Sequence, residues 1–186
     1  MCIEEQTLLW KSELRHLGVF IISGKKFKCS LQNAKQKFFR AASGVLGKIG
    51  VSNHNFILSL FDTFCMPVFV YGLEELNLSK NDRNTIDFVY SSIFFKIFSV
   101  KEPTVIRQCQ FFSDCFPTSY RLDNKVFNFF NGIKLHSSSL QLLLFTWFGN
   151  DELSRIEANY SLLSSDHSWI VKFKLWNCFK LEALGS

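Results

Sequence analysis

The sequence predicts a mainly α-helical protein, in which a short N-terminal β-hairpin precedes a multi-helix bundle. Beyond residue 30, apolar side chains recur at intervals of three and four residues, which is the spacing of one face of a helix. The segment 15–29 instead combines an apolar, β-branched run with a turn signal, Ser23-Gly24. No internal repeat and no low-complexity linker interrupts the chain. Short connections between helices are therefore expected.

Residues 1–30 are predicted to form a tail and the hairpin. The apolar run "HLGVFII" gives the first strand, Ser23-Gly24 the turn, and the partly alternating "KFKCS" the second strand. Ser30 then caps a helix over 31–49. The apolar stripe of this helix is Leu31, Ala34, Phe38, Ala41 or Ala42, Val45 and Ile49.

Residues 31–136 are predicted to form one helical region. A second helix begins near Asn53 and ends near Gly72, and Pro67 should kink it near Phe64. Ser79 and Asp82 form an acidic variant of the capping box at the start of a third helix. Its inward stripe is Ile86, Val89, Tyr90, Ile93, Phe94 and Ile97. Helices over 104–113 and 118–134 follow, the latter with Leu122, Val126, Phe129, Phe130 and Ile133 inward.

Residues 137–186 are predicted to form C-terminal helices. The segment 137–148 is apolar nearly all round, so it should be central or covered by another element. A polar helix over 151–160 carries two acidic residues in its first turn. The last helix, over 166–181, contains Trp169, Phe173, Trp176 and Phe179.

Several classes of protein are disfavoured by composition. The acidic opening is unlike a secretory signal, and no apolar run is long enough to span a membrane. The six cysteines show no framework spacing and are predicted to be reduced, mostly buried thiols of an intracellular protein, cytoplasmic or nuclear. Adjacent acidic residues lie only in the tail or at helix ends, and the four histidines are scattered. We therefore expect no metal site, no cofactor and no catalytic residue of a freestanding enzyme.

Positive charge is concentrated near the N-terminus. Residues 11–50 contain nine Lys and Arg residues and one acid, Glu13. Such a field suggests a polyanionic partner, although a solvated basic face is the alternative. Phe27 could stack on a base, or it could pack on the following helix. The predicted contacts to a nucleic-acid backbone are Lys25, Lys26, Lys28, Lys35, Lys37, Arg40 and Lys48.

Three blocks of the sequence resemble LINE-type (non-LTR) retrotransposon reverse transcriptases, in the region that follows their catalytic palm. Leu17-Gly18 looks like the Tyr-Leu-Gly signature of the last palm hairpin, with His16 in place of tyrosine. The block "FFRAASGVLGKIG" is similar to the helix that follows the hairpin. Pro67-x-x-x-Tyr71-Gly72-x-Glu74 looks like a signature helix on the thumb side. The resemblance covers residues 10–135 well and the remainder loosely.

The resemblance implies a primer-grip-like hairpin and a thumb. The hairpin would contain His16, Leu17, Gly18 and Phe27, and helices within 31–136 would follow the template–primer duplex. In the family, a Phe/Tyr-x-Asp-Asp motif in the palm helps to hold two magnesium ions, whereas this sequence contains no Asp-Asp pair. The expected function is therefore that of a non-catalytic C-terminal fragment with residual template–primer binding. A palm domain would be its missing partner.

The alternative from the residues alone is a small helical protein-interaction module with no nucleic-acid role. The 22 phenylalanines favour some exposure of apolar surface in either case. Poor solubility of the isolated chain is expected because its apolar segments would lack their usual neighbour.

Overall fold

The computed structural model describes residues 2–3, 6–7, 10–24, 28–50, 53–73, 76, 78–136 and 149–185. It confirms the predicted fold class: the chain is mainly helical, and short antiparallel strands precede the helices. The helix predicted over 137–148 lies outside the described residues. Among the helices that the structure describes, none is both long and apolar enough to cross a membrane.

Within the described residues, five short strands precede the helices. They are β1 (Cys2–Ile3), β2 (Gln6–Thr7), β3 (Glu13–His16), β4 (Val19–Ile22) and β5 (Lys28–Cys29). Strands β1 and β2 form one antiparallel pair, and β3, β4 and β5 form an antiparallel sheet in that order. The pairing of β4 with β5 across Ser23-Gly24 confirms the predicted hairpin, with Ile21 opposite Cys29.

The prediction that the run "HLGVFII" forms the first strand of that hairpin was wrong. The run "HLGVFII" is not one strand, because the chain reverses at Leu17-Gly18 and Val19 pairs with His16. Leu17 and Gly18 have φ angles of +47° and +81°. Two central residues with positive φ match the twist of paired strands, as in type I′ turns. The His16-Leu17-Gly18 signature therefore forms the tip of an additional turn.

The described α-helices are α1 (Leu31–Ile49), α2 (His54–Leu60), α3 (Met66–Val70), α4 (Lys80–Phe98), α5 (Pro103–Phe112), α6 (Thr118–His136), α7 (Asn150–Tyr160) and α8 (Ser168–Leu184). Ser30 is the N-cap of α1, but its hydroxyl accepts a hydrogen bond from the Asn33 side chain at 3.2 Å instead of from a backbone N–H. Helix α2 begins directly after Asn53, close to the predicted start, and Asn53 caps it with its Oδ1, which accepts from the Phe56 N–H at 3.1 Å.

A π-helical segment, Phe61–Cys65, joins α2 to α3 where the kink was expected. Pro67 has no N–H to donate to the carbonyl of Thr63, and its ring would clash with that carbonyl in a regular helix. One extra residue in the turn relieves this conflict, and the Met66 N–H donates to Phe61 five residues back. The proline is thus accommodated by a wider turn.

Helix α4 follows its sequence pattern closely. Ser79 and Asp82 form the predicted capping box, with the Asp82 N–H 3.2 Å from Ser79 Oγ and the Ser79 N–H 3.1 Å from Asp82 Oδ2. All six residues of the predicted stripe are buried. They join α1, α2, the π-helical segment, α3 and α5 in a first hydrophobic core.

A second core forms between α6, α7 and α8. Val126 of α6 is buried in this core as predicted, Phe130 and Ile133 are half-buried against it, and Leu122 is buried in the first core. The prediction for Phe129 was wrong, since this side chain is exposed and Phe127 is buried instead. The covered face of α6 includes Asp123. This side chain is only 2% exposed and pairs with arginines of α4 and α7. An apolar stripe alone does not reveal this buried carboxylate.

Candidate nucleic-acid interface

Two of the three sequence blocks that resemble reverse transcriptases meet at the β3–β4 turn, which also contacts the helix that carries the third block. Lys37 of α1 donates from Nζ to the carbonyl oxygen of Gly18 at 2.8 Å. Tyr71, which follows α3, donates from its hydroxyl to the carbonyl oxygen of Leu17 at 3.0 Å. We call Leu17, Gly18, Lys37, Tyr71 and Gly72 the turn anchor. These contacts fix the turn to two helices that are distant in sequence.

Gly72 completes the turn anchor because it has no side chain. Its φ is +77°, and a Cβ atom built there would lie 2.6 Å from Cγ2 of Val19. Ordinary carbon–carbon contacts are about 3.5–4.0 Å. A glycine is therefore required both by the backbone conformation and by the close approach of β4.

The predicted basic residues of the hairpin cannot be placed. Lys25, Lys26 and Phe27 lie outside the described residues. Lys28 belongs to β5, where its backbone pairs with Ile22, but its side chain is not described. The part of the predicted interface that these residues would form stays a prediction.

The four cations of α1 are divided between two sides of the helix. At about 100° per residue, Lys37, Arg40 and Lys48 fall within roughly 80° of one another, whereas Lys35 lies at least about 140° from each of them. We call the side that carries Lys37, Arg40 and Lys48 the basic flank. Lys35 is half-buried and does not share it.

The members of the basic flank differ in their roles. Arg40 and Lys48 are exposed, whereas Lys37 is half-buried and already donates to Gly18. Lys48 also lies in the last turn of α1, where a cation stabilises the helix dipole. Arg40 is thus the clearest candidate for a phosphate contact, and Lys48 can serve both purposes.

Strand β3 extends the basic flank with Arg15, which the sequence pattern did not single out. Glu13 and Arg15 share one face of the strand, since side chains alternate. Glu13 Oε1 lies 3.4 Å from Nδ2 of Asn33, so this face of β3 adjoins α1. The Arg15 guanidinium lies 5.9 Å from the ring centroid of Phe20. In the sequence, Arg15 was indicated only by strand alternation and by the basic bias of the segment.

Several carboxylates of the described helices are bound by arginines and hydroxyls. Asp62 of the π-helical segment accepts from Arg121 at 2.9 Å and from the Tyr90 hydroxyl at 3.0 Å. Asp87 accepts from both the backbone N–H and the hydroxyl of Ser119, and so caps α6 from a distant helix. Burial raises the pKa of Asp87, and burial also raises the pKa of the Tyr90 hydroxyl. These networks connect helices.

Asp123 forms the largest of these networks. It accepts from Arg83 at 2.6 Å, from Arg155 at 2.7 Å and from the Tyr160 hydroxyl at 2.8 Å. Within the part of the chain that the structure describes, no group of three or more His, Cys, Asp or Glu side chains could hold a metal ion.

No protein-family model, no curated protein and no solved structure matches this chain. The likeness to LINE-type reverse transcriptases therefore remains an interpretation of its sequence blocks.

Proposed function

We propose that this chain is a non-catalytic, C-terminal portion of a LINE-type reverse transcriptase that binds the backbone of a template–primer duplex. The turn anchor is the observation that supports this proposal. Its contacts join Leu17-Gly18 to Tyr71-Gly72, which belong to two separate sequence blocks of the resemblance. Two residues that contact each other in a fold are expected to be retained together within a family.

The chemistry of binding follows from the basic flank. Arg15, Arg40 and Lys48 are exposed cations on adjoining elements, and Lys37 keeps two ammonium donors beyond the one bound to Gly18. Cations spaced along a helix neutralise successive phosphates and release counterions, which gives affinity without sequence preference. The lack of an Asp-Asp pair in the sequence is the reason to propose binding without polymerisation.

The proposal is tested by the salt dependence of binding to a labelled RNA–DNA hybrid duplex, measured by fluorescence anisotropy. Each lost phosphate contact lowers the log–log slope by about 0.9, so the double variant Arg40→Gln/Lys48→Gln should lose close to two units of slope. The matched control is Lys96→Gln/Lys101→Gln, which removes two exposed cations from and just after α4. Equal slopes for the two double variants would overturn the proposal.

A protein-interaction module is the second candidate, and exposed apolar side chains favour it. Phe56, Phe64, Val68 and Tyr71 are all exposed along the continuous segment from α2 to the end of α3. In the first proposal a palm domain would cover this surface. If the chain is instead a protein-interaction module, the log–log plot of duplex affinity against salt has no slope. The double variant Phe64→Ser/Val68→Ser then changes self-association alone, as measured by sedimentation velocity.

A further inference from the structure

Helix α8 carries a row of aromatic side chains interleaved with a lysine. Trp169, Lys172, Phe173 and Trp176 follow the spacing i, i+3, i+4, i+7, so they share one face of the helix. Trp169 is 69% exposed and Phe173 is 59% exposed, whereas Trp176 is half-buried against the second core. We call these four residues the aromatic face. It lies beside the stripe of buried residues by which α8 joins the second core, such as Val171 and Leu175.

The aromatic face borders a shallow, open groove. A cavity of about 320 Å³ lies between the four residues and Asp114 and Phe116 of the α5–α6 connection. A second cavity of about 240 Å³ continues between α6 and α8, where Phe116, Lys172 and Lys125 are among its lining residues. Because Phe116 and Lys172 line both cavities, the two cavities lie side by side along α8.

The base of the groove is held rigidly by aromatic packing. The Trp176 ring stacks on Phe111 with centroids 4.8 Å apart and meets Phe116 edge-on at 4.9 Å. Trp169 and Phe173 project beyond this packed base and expose their rings. Such rings bury a large area at a small cost in side-chain entropy.

The charges along the groove favour an anionic occupant. Lys125, Lys172 and Arg121 line it, and Asp114 is the acid among the lining residues. Arg121 is paired with Asp62, whereas Lys172 is exposed beside the aromatic rings. An apolar peptide would cover the rings but would desolvate the lysine without a partner.

Aromatic rings beside cations fit one ligand chemistry in particular. The bases of a single strand stack on exposed rings, and its phosphates bind the neighbouring cations. We propose that the groove along α8 binds a short single-stranded nucleic acid, with bases on Trp169 and Phe173 and a phosphate on Lys172. This site belongs to the second core and is independent of the basic flank on α1.

The test compares a labelled oligothymidylate with an abasic strand of the same length, which keeps the phosphates but has no bases. Stacking on one ring is worth about 1–3 kcal/mol, so Trp169→Ala and Phe173→Ala should each weaken oligothymidylate binding at least about fivefold. Trp169→Phe should restore most of the affinity, and Lys172→Gln should lower the salt slope by about 0.7. Phe88→Ala is the control, since it removes an exposed ring from α4.

Three results would overturn the proposal. Equal affinity for the abasic strand would show that no base is stacked. Unchanged oligothymidylate binding by Trp169→Ala, with an unchanged helical circular dichroism spectrum, would exclude the aromatic face. Loss of self-association in that variant, with strand binding intact, would identify the face as a contact between copies. The variant Arg40→Gln/Lys48→Gln separates the two sites, because it should weaken duplex binding while the ring-dependent preference for oligothymidylate over the abasic strand remains.

Discussion

Replacing Gly72 by alanine should destabilise the protein by about 2–5 kcal/mol. The left-handed φ of +77° costs a residue with a side chain about 1–2 kcal/mol. The new Cβ would lie 2.6 Å from Cγ2 of Val19, so the two backbones must separate by roughly 1 Å to reach ordinary contact. Overpacking of this kind costs about 1–3 kcal/mol, and Val19 is β-branched with little freedom to rotate away.

A double-mutant cycle with Val19→Ala separates the two terms. Removing both γ carbons leaves Cβ of Val19 at 3.7 Å, which is an ordinary contact. In that background Gly72→Ala should cost only the backbone term of about 1–2 kcal/mol. The cycle should therefore give a coupling energy of about 1–3 kcal/mol between positions 19 and 72.

The assay is urea unfolding followed by far-ultraviolet circular dichroism, with hydrogen exchange of the β3 and β4 amides as a local readout. Gly44→Ala is the internal control. Gly44 lies within α1 with no atom within 4 Å of an added Cβ, so alanine there should stabilise the protein by about 0.5–1 kcal/mol. An equal cost of Gly72→Ala in both backgrounds would refute the clash. A cost below about 1 kcal/mol in both would refute the strained backbone as well.

Two further predictions concern buried groups. Asp123→Ala should destabilise the protein by about 3 kcal/mol in urea unfolding because Arg83 and Arg155 lose a carboxylate that is only 2% exposed, whereas Asp151→Ala at an exposed helix end should cost less than about 1 kcal/mol. Similar small costs for both variants would contradict the importance of the Asp123 network. Burial raises the pKa of the Cys65 and Cys115 thiols to about 11. Near pH 8, iodoacetamide should therefore label them about a hundredfold more slowly in the folded protein than in the protein unfolded by urea. The labelling rate of the folded protein should rise with pH up to about pH 11. Equal labelling rates of Cys65 in folded and unfolded protein, measured by peptide mapping, would contradict this pKa argument.

The parts of the fold that the sequence predicts well are those encoded by local signals. The Ser79–Asp82 capping box and the stripe of α4 lie within one element, and both are observed. Local signals suffice in these cases because the partner groups are close in sequence. The prediction of mostly buried cysteines is met only in part, since Cys65 and Cys115 are buried whereas Cys29, Cys109 and Cys178 are half-buried.

The missed features depend on groups that are distant in sequence. Leucine disfavours positive φ, so Leu17 gives no turn signal, and its carbonyl is bound by Tyr71 from 54 residues away. The buried side of α6 contains Phe127 and Asp123 instead of Phe129, and Asp123 pairs there with arginines of two other helices. The basic flank shows the same limit, since charge counting identifies Lys35 and Arg40 equally but the helix separates them. The aromatic residues of α8 were visible in the sequence, whereas the groove beside them required the α5–α6 connection.

The π-helical segment places one residue more in its turn than a regular helix would. Deleting Thr63 would remove that extra residue, and Pro67 would then oppose a carbonyl one regular turn back. The resulting bend would displace Tyr71, whose hydroxyl reaches Leu17 from the end of α3. The wide turn thus keeps a proline inside the segment without loss of the contact that holds the β3–β4 turn.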